Sequence, residues 1–167
     1  MEKSNNILIG IAFVIVVVGA LFLWGKQTPK EPALLAAPGA SLISASETSF
    51  DFGSISMRAG KVKHSFRIMN GSSTPMRITK LYTSCMCTTA ELMTTKERVG
   101  PFGMPGHGFG GSGVDVALAP QEEATVEAVF DPAAHGPAGV GIIERAIYVE
   151  TENGLPFEFR FTAQVTP

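Results

Sequence analysis

The side chains best suited to chemistry are concentrated in one short stretch of the chain. Both cysteines, Cys85 and Cys87, lie one residue apart with Met86 between them. A glycine-rich run follows, and it contains a second thioether, Met104, and an imidazole, His107. Thiolate and thioether sulfurs are the donors that Cu(I) prefers, and imidazole also binds copper. The sequence therefore allows a copper(I) site with four ligands: Cys85, Cys87, Met104 and His107.

The spacing of the two cysteines leaves three interpretations open. In an extended strand the Cα atoms of Cys85 and Cys87 would lie about 6.6 Å apart, with both side chains on one face. A direct disulfide favours Cα separations of about 4.4–6.8 Å, so that bond requires a kink. The first interpretation is a structural pair, either disulfide-bonded or reduced. The second is a pair of ligands whose two sulfurs are bridged by a metal ion. Thiol–disulfide exchange is the third interpretation, which we disfavour because no thioredoxin-like βαβ pattern surrounds the cysteines.

The other two histidines do not indicate a site. His64 lies on the apolar phase of a strand and is predicted to be a core histidine with satisfied hydrogen bonds, whereas His135 is predicted to cap a turn. The serines beside the cysteines lack the histidine and aspartate pattern of a catalytic triad. The glycine-rich run is not followed by the helix start that a phosphate-binding loop needs. We therefore expect a protein that is not an enzyme.

Composition limits the class of protein. The chain has 167 residues, a formal net charge of -2 and 45% hydrophobic residues, which fits one domain with an appendage. No run of lysines and arginines occurs, and such runs are what non-specific nucleic-acid binding requires. Nucleic acid is therefore not an expected partner.

An apolar run near the N-terminus predicts a membrane anchor. Ile7 to Trp24 contains no charged residue, and as a helix it would be about 27 Å long, close to the hydrocarbon thickness of a bilayer. A cleaved signal peptide usually has an apolar region of about 7–15 residues and a small-residue cleavage site close behind it, and residues 25–28 offer a poor one. We predict a single uncleaved helix within residues 1–27, in the cytoplasmic membrane. The short N-terminal tail would lie inside and the rest of the chain outside the cytoplasm.

Two further parts follow the predicted anchor. Residues 28–46 carry prolines among alanines and serines with no sustained period, which is typical of a partly extended linker. From Phe50 onward, apolar residues alternate with polar ones, as in half-buried strands. The alternation and the turn residues predict seven or eight short strands and no helix in residues 47–167. The expected fold class is therefore all-β, an immunoglobulin-like β-sandwich behind an N-terminal transmembrane helix.

The sequence also predicts which residues of these strands are buried and where one hairpin turns. Val62, His64, Phe66 and Ile68 alternate along one strand, and residues 126, 128 and 130 share one face of another. Asn153-Gly154 predicts a tight hairpin turn, because both central residues of that turn need positive φ. The last strand should bury one aromatic face: Phe157, Phe159 and Phe161.

Four segments together resemble a known bacterial family. Phe50–Ile55, Val62–Asn70, Ser84–Thr88 and Phe130–Pro132 follow the pattern of domain of unknown function 1573, over about residues 47–165. The resemblance implies an immunoglobulin-like sandwich and an N-terminal signal or anchor, and it implies no catalytic residue. The family usually has glycine between the cysteines. If that glycine has positive φ, Met86 would be strained or the turn must differ.

These observations lead to two functional hypotheses from different classes. The first is a membrane-anchored extracytoplasmic module with a non-enzymatic binding or structural role at the cell envelope and an unidentified protein partner. The second is a copper-handling protein that uses the Cys-Met-Cys motif and the Met104–His107 loop.

Overall fold

The structure is a computed structural model, and it describes residues 42–108, 111–152 and 156–167. The regular structure in these ranges is ten β-strands and two 3₁₀ helices, Met57–Ala59 and Gly136–Gly139. No helix in them is both long enough and apolar enough to cross a bilayer. The predicted anchor and the predicted turn at Asn153-Gly154 lie outside the described residues. In chain order, the strands are β1 (Ile43–Ala45), β2 (Ser49–Ser56), β3 (Val62–Asn70), β4 (Met76–Thr83), β5 (Thr88–Met93), β6 (Arg98–Phe102), β7 (Gly113–Leu118), β8 (Glu123–Phe130), β9 (Gly141–Thr151) and β10 (Phe157–Thr166).

The ten strands form two five-stranded sheets. Sheet A has the order β1-β3-β8-β5-β6, and sheet B has the order β2-β10-β9-β4-β7. Neighbouring strands are antiparallel except β2 and β10, which run parallel. The all-β, two-sheet part of the predicted fold is confirmed, with ten strands instead of seven or eight. The additional strands include β1, which lies at the C-terminal end of the predicted linker.

The core lies between the two sheets and follows the predicted alternation. Phe66 on sheet A and Phe159 on sheet B are fully buried, and their rings stack with centroids 4.6 Å apart. Phe161 is buried as predicted, whereas Phe157 is only partly buried at the start of its strand. The inward residues of β8 are buried as predicted: Val126, Ala128 and Phe130. The two inner faces therefore pack against each other as a sandwich.

The topology brings three separate parts of the chain together at one end of the sandwich. The connection between β4 and β5, residues 84–87, crosses from sheet B to sheet A. Thr88 at the start of β5 is paired in register with Phe130 at the end of β8, so the segment that follows β8 begins beside this connection. On the other side, Thr83 at the end of β4 is paired in register with Ile147 of β9, so the β9 residues that precede Ile147 lie beside this connection. The cysteines are therefore placed at a crossover between the sheets.

Candidate functional site: a disulfide turn with a histidine and an arginine

Residues Ser84–Thr88, here called the cysteine turn, are not an extended strand. The Thr88 N–H donates to the Cys85 carbonyl at 3.1 Å, which closes a turn. Cys85 and Cys87 are joined by a disulfide, and their Cα atoms are 5.2 Å apart. The two cysteines therefore do not lie along an extended segment, and of the arrangements that the sequence left open the structure has the direct disulfide. The kink that a disulfide requires at this spacing is supplied by the turn.

The cysteine turn is anchored on both flanks by hydrogen bonds. Ser84 donates its N–H to the Ala146 carbonyl at 3.0 Å, and its hydroxyl accepts the Ala146 N–H at 2.9 Å. The buried Thr83 hydroxyl lies 3.0 Å from the Cys85 carbonyl and 2.9 Å from the Thr88 carbonyl. These contacts fix the turn against β9, so the positions of the two sulfurs are determined by the sandwich.

Met86 does not need a glycine-type backbone. The one non-glycine residue with positive φ in the described ranges is Gln121, so Met86 lies outside the left-handed region. Its side chain points outward and is 50% exposed. The chain therefore departs from the family pattern here without backbone strain of the kind that a left-handed residue would suffer.

His135 approaches the disulfide from the segment that follows β8. The Asp131 N–H donates to the Cys87 carbonyl at 2.9 Å, and the Asp131 carboxylate accepts the Ala133 N–H at 2.9 Å. This geometry places Nε2 of His135 at 3.2 Å from Sγ of Cys85. His135 precedes the 3₁₀ helix Gly136–Gly139, but its side chain makes no capping hydrogen bond. The predicted capping role is therefore corrected to a contact with sulfur.

Arg145 contacts the other sulfur from β9. It is paired in register with the buried Phe161, and residues opposite each other in a sheet share one face, so Arg145 lies on the core side. Its Nε–H donates to Sγ of Cys87 at 3.3 Å, and its Nη1 donates to the Glu144 carbonyl at 2.7 Å. No carboxylate among the described residues pairs with it. Arg145 thus brings a positive charge to the more buried sulfur.

The two sulfurs and the imidazole form the donor cluster, defined as Cys85, Cys87 and His135. Their ligand atoms all lie within 4.8 Å of one another, and in the described part of the chain they are the one group of three or more histidine, cysteine or acidic residues with metal-ligand geometry. In the disulfide state the sulfurs are bonded to each other. Reduction would give two thiols next to one imidazole, a set suited either to a soft metal ion or to thiol chemistry.

The structure places Met104 and His107 differently from Cys85 and Cys87. The Thr83 N–H donates to the Gly103 carbonyl at 3.3 Å, so the glycine-rich loop begins beside the cysteine turn. Met104 is partly buried, and its carbonyl accepts the His107 N–H at 3.1 Å. The His107 side chain is exposed and is not part of the donor cluster. The ligand roles of Met104 and His107 stay predictions.

The sequence did not identify His135 and Arg145 as site residues. His135 is 50 positions from Cys85, and Arg145 is 58 positions from Cys87. No local spacing signals such a contact. The one available signal is that Arg145 occupies a core-facing phase in a strand, where a charged side chain requires a partner.

His64 belongs to a different environment, here called the His64 cluster: Glu47, Phe50, Phe52 and His64. Nε2 of His64 lies 2.7 Å from a Glu47 carboxylate oxygen. The imidazole stacks on the Phe50 ring at a centroid distance of 3.6 Å. His64 is half-buried, and its ring also contacts Phe52 of β2 and Phe66 of its own strand. The prediction that the hydrogen bonds of His64 are satisfied is confirmed, whereas its predicted place in the core is corrected to a half-buried position beside it.

The outer face of sheet B carries a third polar group. The Tyr82 hydroxyl donates to the Glu150 carboxylate at 2.9 Å, and the Tyr82 ring stacks on Tyr148 at 5.0 Å. Partial burial, followed by the Glu150 carboxylate, raises the pKa of Tyr82 to about 12. The hydrogen bond from Lys80 holds the pKa of Glu150 below its usual value. Each charge here has a partner, which favours a structural role.

The profile of a family described as "Protein of unknown function (DUF1573)" matches residues 43–102. That segment is similar to the DUF1573 family. The DUF1573 match runs from β1 to the end of β6 and includes the whole cysteine turn. The predicted resemblance is therefore confirmed, and no curated protein matches the sequence.

Solved structures resemble this chain in fold. A crystal structure of a protein of unknown function from Porphyromonas gingivalis W83 aligns with a TM-score of 0.52 at 17% identity, covering 81% of this chain and 51% of that one. The chain thus spans about half the length of that protein. The ASH/PapD-like domain 7 of human CEP192 gives 0.48 at 12% identity, with 84% and 96% covered. The YadV chaperone gives 0.46 at 11% identity, with 76% and 53% covered.

Proposed function

We propose that the chain is a membrane-anchored, extracytoplasmic module of immunoglobulin-like fold with a non-enzymatic binding role at the cell envelope. Two observations support this location. The run from Ile7 to Trp24 has the length and apolarity of a spanning helix. The Cys85–Cys87 disulfide suits an oxidising compartment, where disulfides form and persist.

The location is tested in cells that carry the full chain. After mild reduction and permeabilisation of any outer barrier, a thiol reagent that cannot cross the inner membrane should label the partly exposed Cys85. Labelling that requires lysis of the inner membrane would reverse the proposed orientation. A mature N-terminus beyond Trp24 would replace the anchored protein with a secreted one.

We propose that the ligand of the module is one Cu(I) ion, bound by the donor cluster in its reduced state. The observation that carries the proposal is that both sulfurs and the His135 imidazole converge within 4.8 Å. An external thiol reductant first converts the disulfide to two thiols by supplying two electrons and two protons, and it is itself oxidised to a disulfide. Binding then displaces the thiol protons, because the metal ligand is the thiolate. In this proposal His135 replaces His107 as the imidazole ligand.

The donor set and its surroundings favour Cu(I) over Zn²⁺. Thiolate sulfur is a soft donor, and a structural zinc site almost always has four protein ligands, whereas the donor cluster has three. Two thiolates around a monovalent ion leave a single negative charge. The Arg145 guanidinium, 3.3 Å from Sγ of Cys87, would balance that charge.

A competition titration tests the copper proposal. The full chain is reduced, transferred to anaerobic buffer and titrated against a colorimetric Cu(I) chelator. Wild type should take up one Cu(I) per chain, and Cys85→Ser should abolish tight binding because it removes one of two thiolates. We expect His135→Ala to weaken binding by about tenfold or more, as loss of one coordinating group commonly does.

The matched control for His135→Ala is His107→Ala. His107 is an exposed histidine outside the donor cluster, so its replacement should leave the affinity unchanged. Equal losses in the two variants would return the imidazole ligand to the glycine-rich loop. If wild type and Cys85→Ser compete equally poorly with the chelator, the copper proposal is wrong.

A further inference from the structure

The two sulfurs of the cysteine turn differ in their access to solvent. Cys85 is partly exposed, whereas Cys87 is only 2% exposed and belongs to the hydrophobic core. Cys85 is therefore the more accessible residue of the two, and a reagent in solution should reach it in preference to Cys87. The first step of any reaction of this disulfide is thereby directed to one sulfur.

Arg145 adds a second asymmetry. Of the arginines in the described ranges, it is the one that is not exposed. Three exposed arginines pair with carboxylates instead: Arg77, Arg98 and Arg160. A partly buried guanidinium without a carboxylate is unusual, because charges removed from water require a partner. A thiolate on Cys87 would supply the missing negative charge.

The disulfide also contributes little to the stability of the fold. It links residues two positions apart, so it closes a very small loop. The entropy that a disulfide removes from the unfolded chain grows with loop length. The pair is consequently better suited to chemistry than to holding distant segments together.

We propose that the Cys85–Cys87 disulfide undergoes exchange with an external thiol, with Cys85 as the sulfur attacked and Cys87 as the leaving thiolate that Arg145 stabilises. The external thiolate forms a bond to Sγ of Cys85, the Cys85–Cys87 bond breaks, and its electron pair leaves on Sγ of Cys87. A second external thiolate then attacks its partner in the mixed disulfide and releases Cys85 as a thiolate. The chain gains two electrons, and two external thiols become one disulfide.

Two neighbouring groups fit these steps. The Arg145 Nε–H already donates to the sulfur that leaves first, at 3.3 Å. Nε2 of His135 lies 3.2 Å from the sulfur that leaves second. Neither contact involves a bound metal, so this inference does not rest on the proposed copper site.

Single-cysteine variants test the roles of the two sulfurs. The full chains of Cys87→Ser and Cys85→Ser are incubated with oxidised glutathione and an excess of a Cu(I) chelator, and mixed disulfides are followed by intact mass. Cys87→Ser, which keeps the accessible Cys85, should form the adduct about tenfold or more faster, because reactivity follows exposure as well as thiolate character. Equal rates, or a faster reaction of Cys85→Ser, would overturn the assignment.

Arginine variants test the leaving group in the wild-type cysteine background. Reduction of the disulfide by glutathione should be about tenfold slower in Arg145→Gln, because the leaving thiolate loses its charge partner. Arg145→Lys should retain part of the rate, since the charge is kept. Arg160→Gln, on the neighbouring strand and paired with Glu144 and Glu158, is the matched control and should react like wild type. Identical rates in Arg145→Gln and Arg160→Gln, with both variants folded by circular dichroism, would overturn the role of Arg145.

Two thiol donors separate the sources of the external thiol. Glutathione represents small thiols, and reduced unfolded ribonuclease A represents protein thiols. Faster reduction by one of the two donors supports exchange and identifies that class of thiol as the source of the external thiol. A disulfide that resists both donors would overturn exchange altogether and leave a structural bond. Because the Cu(I) chelator is present throughout, this outcome is independent of the copper titration.

Discussion

The His64 cluster contains a histidine and a carboxylate, and the cysteine turn is contacted by a histidine and an arginine. The two regions differ in how these side chains are paired. His64 is within 2.7 Å of a carboxylate and is stacked on an aromatic ring. His135 faces a sulfur and is exposed, and Arg145 beside it has no carboxylate. Charge and hydrogen bonding are complete in the first region and incomplete in the second. The comparison indicates that the first region supports the fold and the second is available for a ligand or a reaction.

The largest expected effect concerns the core that lies beneath the His64 cluster. Phe66 contacts His64 at a ring distance of 4.7 Å and stacks on Phe159, which is fully buried. Phe159→Ala should lower the free energy of unfolding by about 3–5 kcal/mol, as large-to-small changes in a packed core do. Denaturant midpoints measure this loss. Glu158→Ala, one residue away on the outer face, should stay within about 0.5 kcal/mol, and equal midpoints would contradict the assigned facing of β10.

The next-largest effect is a difference in stability between variants of His64 and His135. His64→Ala should cost about 1–2 kcal/mol of stability, because it removes an aromatic stack and a partly exposed hydrogen bond to Glu47. His135→Ala should change stability by no more than about 0.5 kcal/mol, since its side chain is at the surface. For Cu(I) affinity the order of the two variants should reverse. His135→Ala should weaken binding, and His64→Ala should leave it unchanged. If both variants lose stability alike and bind Cu(I) alike, the distinction between the two regions is wrong.

The smallest effect tests a satisfied group far from the cysteine turn. The pKa of Tyr82 is raised from 10.0 to about 12, so its neutral form is favoured in the folded chain. A raised pKa gives stability that is present below pH 10 and is lost as the pH rises from about 10 to about 12. In a Tyr148→Phe background, the ultraviolet signal of phenolate should therefore appear only near pH 12. Glu150→Gln should lower this midpoint in part, because burial is the largest cause of the shift and remains; an unchanged midpoint would show that Glu150 contributes nothing.

The fold could be predicted from sequence where one face of a strand carries the signal. The alternation in β3, β8 and β10 identified the buried faces correctly, because a half-buried strand has a strict period of two. Short strands with weak patterns were missed, and β1 has only three residues. Its pairing with β3 is decided by the rest of sheet A and not by its own residues.

The candidate site could be predicted only in part. The two cysteines could be recognised from their residue type and spacing, and the need for a kink followed from the geometry of a disulfide. The third donor, His135, could not be recognised, because it lies in an ordinary turn. The segment Gly-Met-Pro-Gly-His-Gly is more conspicuous and contains another histidine. What selects His135 is the register of β5 with β8, which begins at Thr88 and Phe130. Register is a property of the assembled sheet, so no local pattern reveals it.

The parallel pair of β2 and β10 has a consequence for how the chain is made. β2 meets sheet B only through β10, and contacts across this pair, such as the Thr162 hydroxyl to the Asp51 carboxylate, join residues 111 positions apart. Because synthesis proceeds from the N-terminus, β2 has no neighbour in its sheet until β10 emerges. β10 is an interior strand, flanked by β2 and β9, so a ribosome that stopped short of β10 would leave behind a chain that cannot close sheet B.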